Sequence, residues 1–345
     1  MLAVVLASFV PASNAADLRS LSRTAGLHVI VGFDGTAPPP SLLHSVARGD
    51  VAGVILFARN VRSPGQVRLL TRRLQAARPV GDPPLLVMID QEGGLVKRLP
   101  GPPGHSPAQL GQIGDTGLAR REGLATGRSL AAIGINVDLA PVVDVGRAGT
   151  VMQRTQRSYS SDPALVARLA VAFAGGLRDG GVQATAKHYP GLGLARGDED
   201  ANINRIAAPL DVLRRIDESP YVALSRAGIG LVMVSTARYP ALDSAPALFS
   251  HRIATGELRG ASGFAGVSIS DDLDTPAAAR LGSPAARAVA ATRAGVDLLL
   301  FAQSQGDAAR GGRALAAAVR THQLDRAELE RSADLVVALR RRLAA

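Results

Sequence analysis

The 345-residue chain has no cysteine, which excludes a disulfide framework and any thiolate metal site. Its six histidines are dispersed, with no His-x-x-x-His pair, so neither a metal nor another cofactor is expected. Tryptophan is missing and aromatic residues make up only 3% of the chain. Without aromatic stacking platforms or a nucleic-acid motif, and with arginines scattered over helix faces, the net charge of +10 is not read as a nucleic-acid surface. Proximity to an anionic cell envelope is a better use of that charge. Long hydrophobic runs are lacking too. The apolar segment Leu2–Val10 is too short to cross a bilayer. With the small residues Ala12-Ser13-Asn14-Ala15 behind it, it resembles a signal peptide over residues 1–15, although the usual positive residue ahead of the run is missing. Export to the periplasm or exterior is expected, with a cytoplasmic location as the alternative, and the absence of a following cysteine excludes a lipoprotein anchor. Residues 16–345 show no linker or composition shift and are taken as one domain.

Lysine is nearly absent as well, with only Lys97 and Lys187 in a chain rich in arginine. Lys187 stands in Ala184-Thr185-Ala186-Lys187-His188-Tyr189-Pro190-Gly191, where an apolar run ends in two donor-rich side chains and a turn. A compact ammonium at the end of a buried strand suits a site in which a guanidinium would be too bulky.

The same grammar of glycine, short apolar run and polar terminus recurs along the chain. Candidate strands are His28–Gly32, Val54–Phe57, Leu85–Asp90, Ile135–Leu139, Val182–Lys187, Leu231–Ser235, Val267–Ser270 and Leu298–Phe301. They are continuously apolar rather than alternating, as strands buried on both faces are. Helical patterns lie between them at Pro64–Ala77, Leu118–Ile133, Pro163–Arg178 with Asp162 as N-cap, Pro209–Ser225 and Ser283–Ala294, and an arginine-rich helix from about Asp325 to Leu343 closes the chain. Eight such strands alternating with helices predict an α/β protein, a (β/α)8 TIM-type barrel, with a doubly wound open sheet as the alternative. Barrel active sites collect at the carboxyl ends of the strands. Here those ends read Asp90-Gln91-Glu92-Gly93-Gly94, Asp138 through Asp144, Lys187-His188, Ser235-Thr236 and Ser270-Asp271-Asp272.

Several of these segments occur in a fixed order: Val31-Gly32-Phe33-Asp34-Gly35-Thr36, Gly53-Val54-Ile55-Leu56-Phe57, Asp90 to Gly94, Asn136 to Val145, the Lys-His-Tyr-Pro-Gly segment, Tyr239-Pro240-Ala241-Leu242-Asp243, and Gly266 to Leu273. In them the chain resembles the catalytic domain of glycoside hydrolase family 3, in its single-domain branch of bacterial β-N-acetylhexosaminidases. The resemblance implies a carbohydrate substrate, terminal β-linked N-acetylhexosamine on cell-wall-type or other glycosides, and a part in peptidoglycan turnover. It makes Asp271 the nucleophile of a retaining reaction through a covalent glycosyl-aspartate, with water or phosphate as acceptor. It puts Asp90, Arg98, Arg157, Lys187 and His188 around the sugar ring. Glu92 reads as orienting its neighbours, and Asp272 as capping the next loop.

The acid/base departs from the family pattern. The branch carries a histidine, assisted by an aspartate, in the loop after the Lys-His segment. Here the loop Gly191–Arg205 has no histidine, and alignment on Pro209 puts Arg205 at that place. Arginine stays protonated and cannot serve as the acid. Asp198, Glu199 and Asp200 are the candidates in its stead, provided closure of the loop raises one pKa. A catalytically silent sugar-binding relative, expected to bind N-acetylglucosamine without turnover, and a hydrolase of another β-glycoside remain as alternatives.

Overall fold

The computed structural model describes residues 20–343; the expected signal peptide, residues 1–15, lies outside them. Eight parallel strands form one sheet: β1 (Val29–Val31), β2 (Gly53–Leu56), β3 (Leu86–Ile89), β4 (Val137–Asp138), β5 (Gln183–Tyr189), β6 (Leu231–Val234), β7 (Val267–Ser270) and β8 (Leu299–Phe301). The order is β7-β6-β5-β4-β3-β2-β1-β8, and a parallel bridge between Ile269 and Leu298 joins the two ends. Ser270 N donates to Leu298 O at 2.8 Å, and Leu298 N to Ser268 O at 2.9 Å. The sheet is therefore a barrel, as the spacing of apolar runs predicts, and not an open sheet.

The two-residue period of a strand divides the apolar residues into two cores. Ile30, Ile55, Leu86, Met88, Val137, Leu231, Met233, Val267, Ile269 and Leu300 point inward. Their neighbours Val29, Val31, Val54, Leu56, Val87, Ile89, Val232 and Val234 pack under the surrounding helices. The inward parity carries chemistry to the barrel mouth, because Asp90 continues the series Leu86, Met88, and Asp271 continues Val267, Ile269. On β5 the inward series is polar, Thr185 and then Lys187, both buried.

The helices start where the capping signals put them. Ser63 accepts from Gln66 N at 3.2 Å and opens Pro64–Ala77, Asp162 accepts from Ala164 N at 2.9 Å and opens Pro163–Asp179, and Ser283 accepts from Ala286 N at 3.2 Å and opens Pro284–Ala294. The helix expected over Pro209–Ser225 is not continuous. It splits into Leu210–Val212, a widened π-turn at Leu213–Asp217 and Ser219–Arg226. Pro220 has no amide hydrogen to donate into the preceding turn, and the π-turn lets Asp217 meet Arg147 at 2.6 and 2.8 Å. Helices at Pro40–Arg48 and Gln305–Arg320 go beyond the sequence expectation.

The terminal helix Arg326–Arg342 closes the end of the barrel opposite the site. Val336 and Leu339 join the inner core beside Leu231 and Val267. Arg340 donates to Pro84 O at 2.8 Å and Pro83 O at 2.7 Å, and His28 bonds to Asp297 O at 2.7 Å and Leu329 O at 3.2 Å. Leu339→Ala is expected to destabilise the fold by about 3 kcal/mol through lost burial and a residual cavity. The check is urea unfolding beside turnover at low denaturant, with the loss confined to stability because Leu339 lies away from the strand carboxyl ends.

Candidate active site

A cavity of about 280 Å³ opens at the carboxyl ends of the strands. Asp90, Arg98, Arg157, Lys187, His188, Asp198, Glu199, Asp200 and Asp271 all line it. Every site residue expected from sequence is thus brought to one place. Phe57, Leu139, Met233 and Leu300 supply its apolar wall.

The floor is an ion-paired network. Lys187, 2% exposed, donates to Asp90 Oδ1 and Glu92 Oε1, both at 2.7 Å. Glu92 sits in the short hairpin Gln91–Gly93 and Val96–Lys97, which turns through Gly93 and Gly94 at φ of 96° and 60°. Arg157 grips Glu92 in fork geometry, Nε and Nη2 each 2.9 Å from a carboxylate oxygen. Burial pushes Glu92 upward, yet Arg157 and Lys187 together hold it at about 2. The same carboxylates raise Lys187 against the opposing effect of burial. Arg98 is looser, 3.7 Å from Asp90 and 5.8 Å from the Phe57 ring centre.

Asp144 fixes the imidazole. Its Oδ2 accepts from His188 Nδ1 at 2.8 Å, while Oδ1 accepts from His188 N at 3.2 Å and Leu192 N at 2.6 Å. Burial disfavours the imidazolium, but Asp144 more than offsets it and the net shift is upward. His188 Nε2 turns toward the cavity, 3.4 Å from Arg157 Nη2 and 3.8 Å from Glu199 Oε1.

The acidic triplet separates into three environments. Asp198 is exposed and its carboxylate accepts from Asp200 N at 3.1 Å, shaping the loop. Glu199 reaches inward to Arg157 Nη1 at 2.8 Å; burial acts to raise it, but Arg157 and His188 outweigh that and lower its pKa. Asp200 has no such cation. Partial burial of its carboxyl group, then the charges of Asp271 and Glu199, raise it to about 7, although the residue as a whole stays open to solvent at the loop tip. The loop is fastened on both sides, by Gly197 and Asn204 exchanging bonds at 3.2 and 3.0 Å and by Ala277 N donating to Asp200 O at 3.0 Å. Arg205 is exposed and bridges to Arg238, outside the cavity lining.

Asp271 follows β7 directly and is 8% exposed. Burial raises it to about 6, against the pull of His188. Asp272 caps the following turn, accepting from Asp274 N at 2.9 Å and Ala302 N at 3.0 Å. Two fully buried carboxyls at the strand ends are not among the expected site residues, although both lie in polar strand-end segments. One is Asp144. The other is Asp138, raised to about 8, first by burial. Gln91 was also missed: its amide donates to Leu99 O and Pro102 O at 3.0 and 2.9 Å and accepts from Arg98 N and Leu99 N at 3.0 Å. A glutamine beside a glycine turn carries no sequence signal for such clasping.

The closed barrel gathers raised carboxyl groups and an ion-paired floor at one mouth, the end at which barrel enzymes carry their sites. Residues 31–339 match the family described as the glycosyl hydrolase family 3 N terminal domain, and the chain belongs to that family. It is 35% identical to a secreted glycosyl hydrolase of Arthroderma benhamiae over 99% of both chains. It is 38% identical to a beta-hexosaminidase of Chromobacterium violaceum, over 72% of this chain and 71% of that one. A family 3 beta-N-acetylglucosaminidase structure from Paenibacillus superposes with a TM-score of 0.90 at 32% identity, covering 94% of this chain. The chain spans 62% of that longer protein's length.

Glu92 has a pH signature. Its folded pKa of about 2 lies below the ordinary 4.5, so its contribution to stability is present above about pH 4.5 and is lost as pH falls toward 2. Glu92→Gln is expected to cost about 3 kcal/mol near pH 7, since it leaves two buried cations short of a counter-charge. Denaturant unfolding of both proteins from neutral pH down to pH 3 should show that gap narrowing on acidification.

Proposed function

We propose that the protein is a retaining β-N-acetylhexosaminidase in which Asp271 attacks the anomeric carbon and Asp200 protonates the glycosidic oxygen. Asp271 is ionised when it attacks, and the leaving group must not depart as alkoxide, so a second group has to carry a proton. The observation that carries the assignment is the contrast within the loop. Asp200 lacks a cation and is raised to about 7, whereas Glu199 is held down by Arg157 and His188. An acid poised near the working pH is the effective one. Asp90 accepts hydrogen bonds from sugar hydroxyls, and Lys187, Arg98, Arg157 and His188 donate around the ring. Water then discharges the glycosyl-Asp271 intermediate with Asp200 as base.

The choice of N-acetylhexosamine rests on the beta-hexosaminidase and beta-N-acetylglucosaminidase relatives. A role in peptidoglycan turnover follows from the same likeness. Export is favoured by the Leu2–Val10 run and by the fungal relative described as secreted. Among the described residues no helix is long and apolar enough to cross a membrane. The net charge of +10 suits work beside an anionic envelope.

The test is hydrolysis of an aryl β-N-acetylglucosaminide by the wild type, Asp271→Asn and Asp200→Asn, with the aryl β-glucoside alongside. Asp271 must be ionised and Asp200 protonated, so kcat/KM is expected to rise through about pH 6 and fall above about pH 7. Because the two groups interact, these limbs belong to the pair. Asp271→Asn abolishes turnover, and Asp200→Asn removes the alkaline limb. Sugar binding without turnover by the wild type would leave a binding protein, and turnover of the glucoside alone would reassign the sugar.

A further inference from the structure

At its tip, the loop that carries Asp200 reaches the ionic floor through the Glu199 side chain. Glu199 is nearly buried, 10% exposed, and turned away from the loop's solvent face. Its Oε1 meets Arg157 Nη1 at 2.8 Å and lies 3.8 Å from His188 Nε2. Arg157 in turn is locked by Glu92, which Lys187 also holds. An unbroken series of charge contacts therefore runs from the strand ends of the barrel to the residue next to Asp200. The other fastenings hold backbone rather than the Asp200 carboxyl group: Asp144, Arg147, Val151 and Arg154 bond to the loop at Leu192, Gly193, Ala195 and Arg196, Gly197 and Asn204 close it upon itself, the Asp198 carboxylate accepts from Asp200 N, and Ala277 N holds only the Asp200 carbonyl. The flanking acids have no comparable anchor on the floor.

The geometry points to Glu199 as a positioning residue, a latch that closes the loop 192–205 onto Arg157 and His188 and so presents the Asp200 carboxyl group to the glycosidic oxygen. This rests on Asp200 being the proton donor. Glu199 itself moves no proton, because it is engaged as the acceptor of a guanidinium. Its charge has a second consequence, since it faces both reacting carboxyls and contributes to raising Asp200 and Asp271. The charged groups facing Glu199 and Asp200 are Arg157 and His188 on the floor, Asp271 and Asp272 after β7, and Asp198 within the loop.

The experiment compares kcat/KM for two N-acetylglucosaminides, one with a 2,4-dinitrophenyl leaving group and one with a 4-methoxyphenyl leaving group, in wild type, Glu199→Gln and Asp200→Asn. The activated phenol departs without protonation, whereas the poor one needs the acid. Glu199→Gln is expected to lose on the order of 100-fold on the poor leaving group and little on the activated one. Both limbs of its pH profile should move to lower pH. Comparing two substrates in one preparation makes the result independent of how much of the variant is folded. Equal losses on both substrates, or limbs that stay in place, would overturn the latch. If Asp200→Asn itself loses equally on both, Asp200 is not the acid and this proposal falls with it. A leaving-group effect in Asp200→Asn but not in Glu199→Gln would sink the latch alone.

Discussion

The buried carboxylate of Glu92 is the constraint on which the rest of the site depends. A fully buried anion is tolerated only when opposite charges and hydrogen bonds replace its water, and Glu92 obtains both from Lys187 and from the fork of Arg157. Each cation then reaches a second anion: Lys187 to Asp90, Arg157 to Glu199. Anions and cations alternate across the floor, so their charges are largely spent on one another. This arrangement holds Arg157 and Lys187 in fixed orientation before any sugar arrives, which is how a rigid scaffold prepays the entropy of binding.

Against that neutralised floor, the carboxyls left without a cation stand out. Glu92 and Glu199 touch a guanidinium and are depressed. Asp200 and Asp271 do not: Asp200 is raised by burial and then by Asp271, and Asp271 by burial and by Glu199 against the pull of His188. The same chemical group takes two opposite states within one cavity, and contact with a guanidinium separates the depressed carboxyls from the raised ones. Asp272, which caps the turn after β7, is raised by burial too, and so is Asp138, to about 8, with its Oδ1 accepting from Gln91 N at 2.9 Å. At neutral pH it is a neutral acid beneath Lys187 and adds no further charge to the floor.

How much of this was legible in the sequence follows from the range of the forces involved. Continuous apolar runs mark β2, β3, β6 and β7 because both faces of a barrel strand are buried, and those strands fall within a residue or two of expectation at each end. The parity of Asp90, Lys187 and Asp271 is fixed by the same two-residue period. The segment Pro209–Ser225 misled because helical periodicity does not register a π-turn stabilised by a distant partner, Arg147. The acidic triplet was visible as a set, but its members were indistinguishable. Which of them meets Arg157 depends on contacts to residues more than forty positions away, and no local pattern encodes that. Asp144 was masked by its own motif, where an aspartate at a strand end reads equally as a cap.

In the proposed reaction, a carboxylic acid in place of an imidazole changes how the proton is managed through the two steps. Asp200 owes its raised pKa first to partial burial and next to the negative charge of Asp271. When Asp271 becomes esterified to the sugar, that charge disappears, and the pKa of Asp200 falls. Under that proposal the group protonated for departure of the aglycone is thereby deprotonated in time to activate water. The proposed latch at Glu199 rests on Arg157, whose guanidinium stays charged. Asp200 would then change role without changing place: its proton is governed by the proposed nucleophile, and its position by the floor.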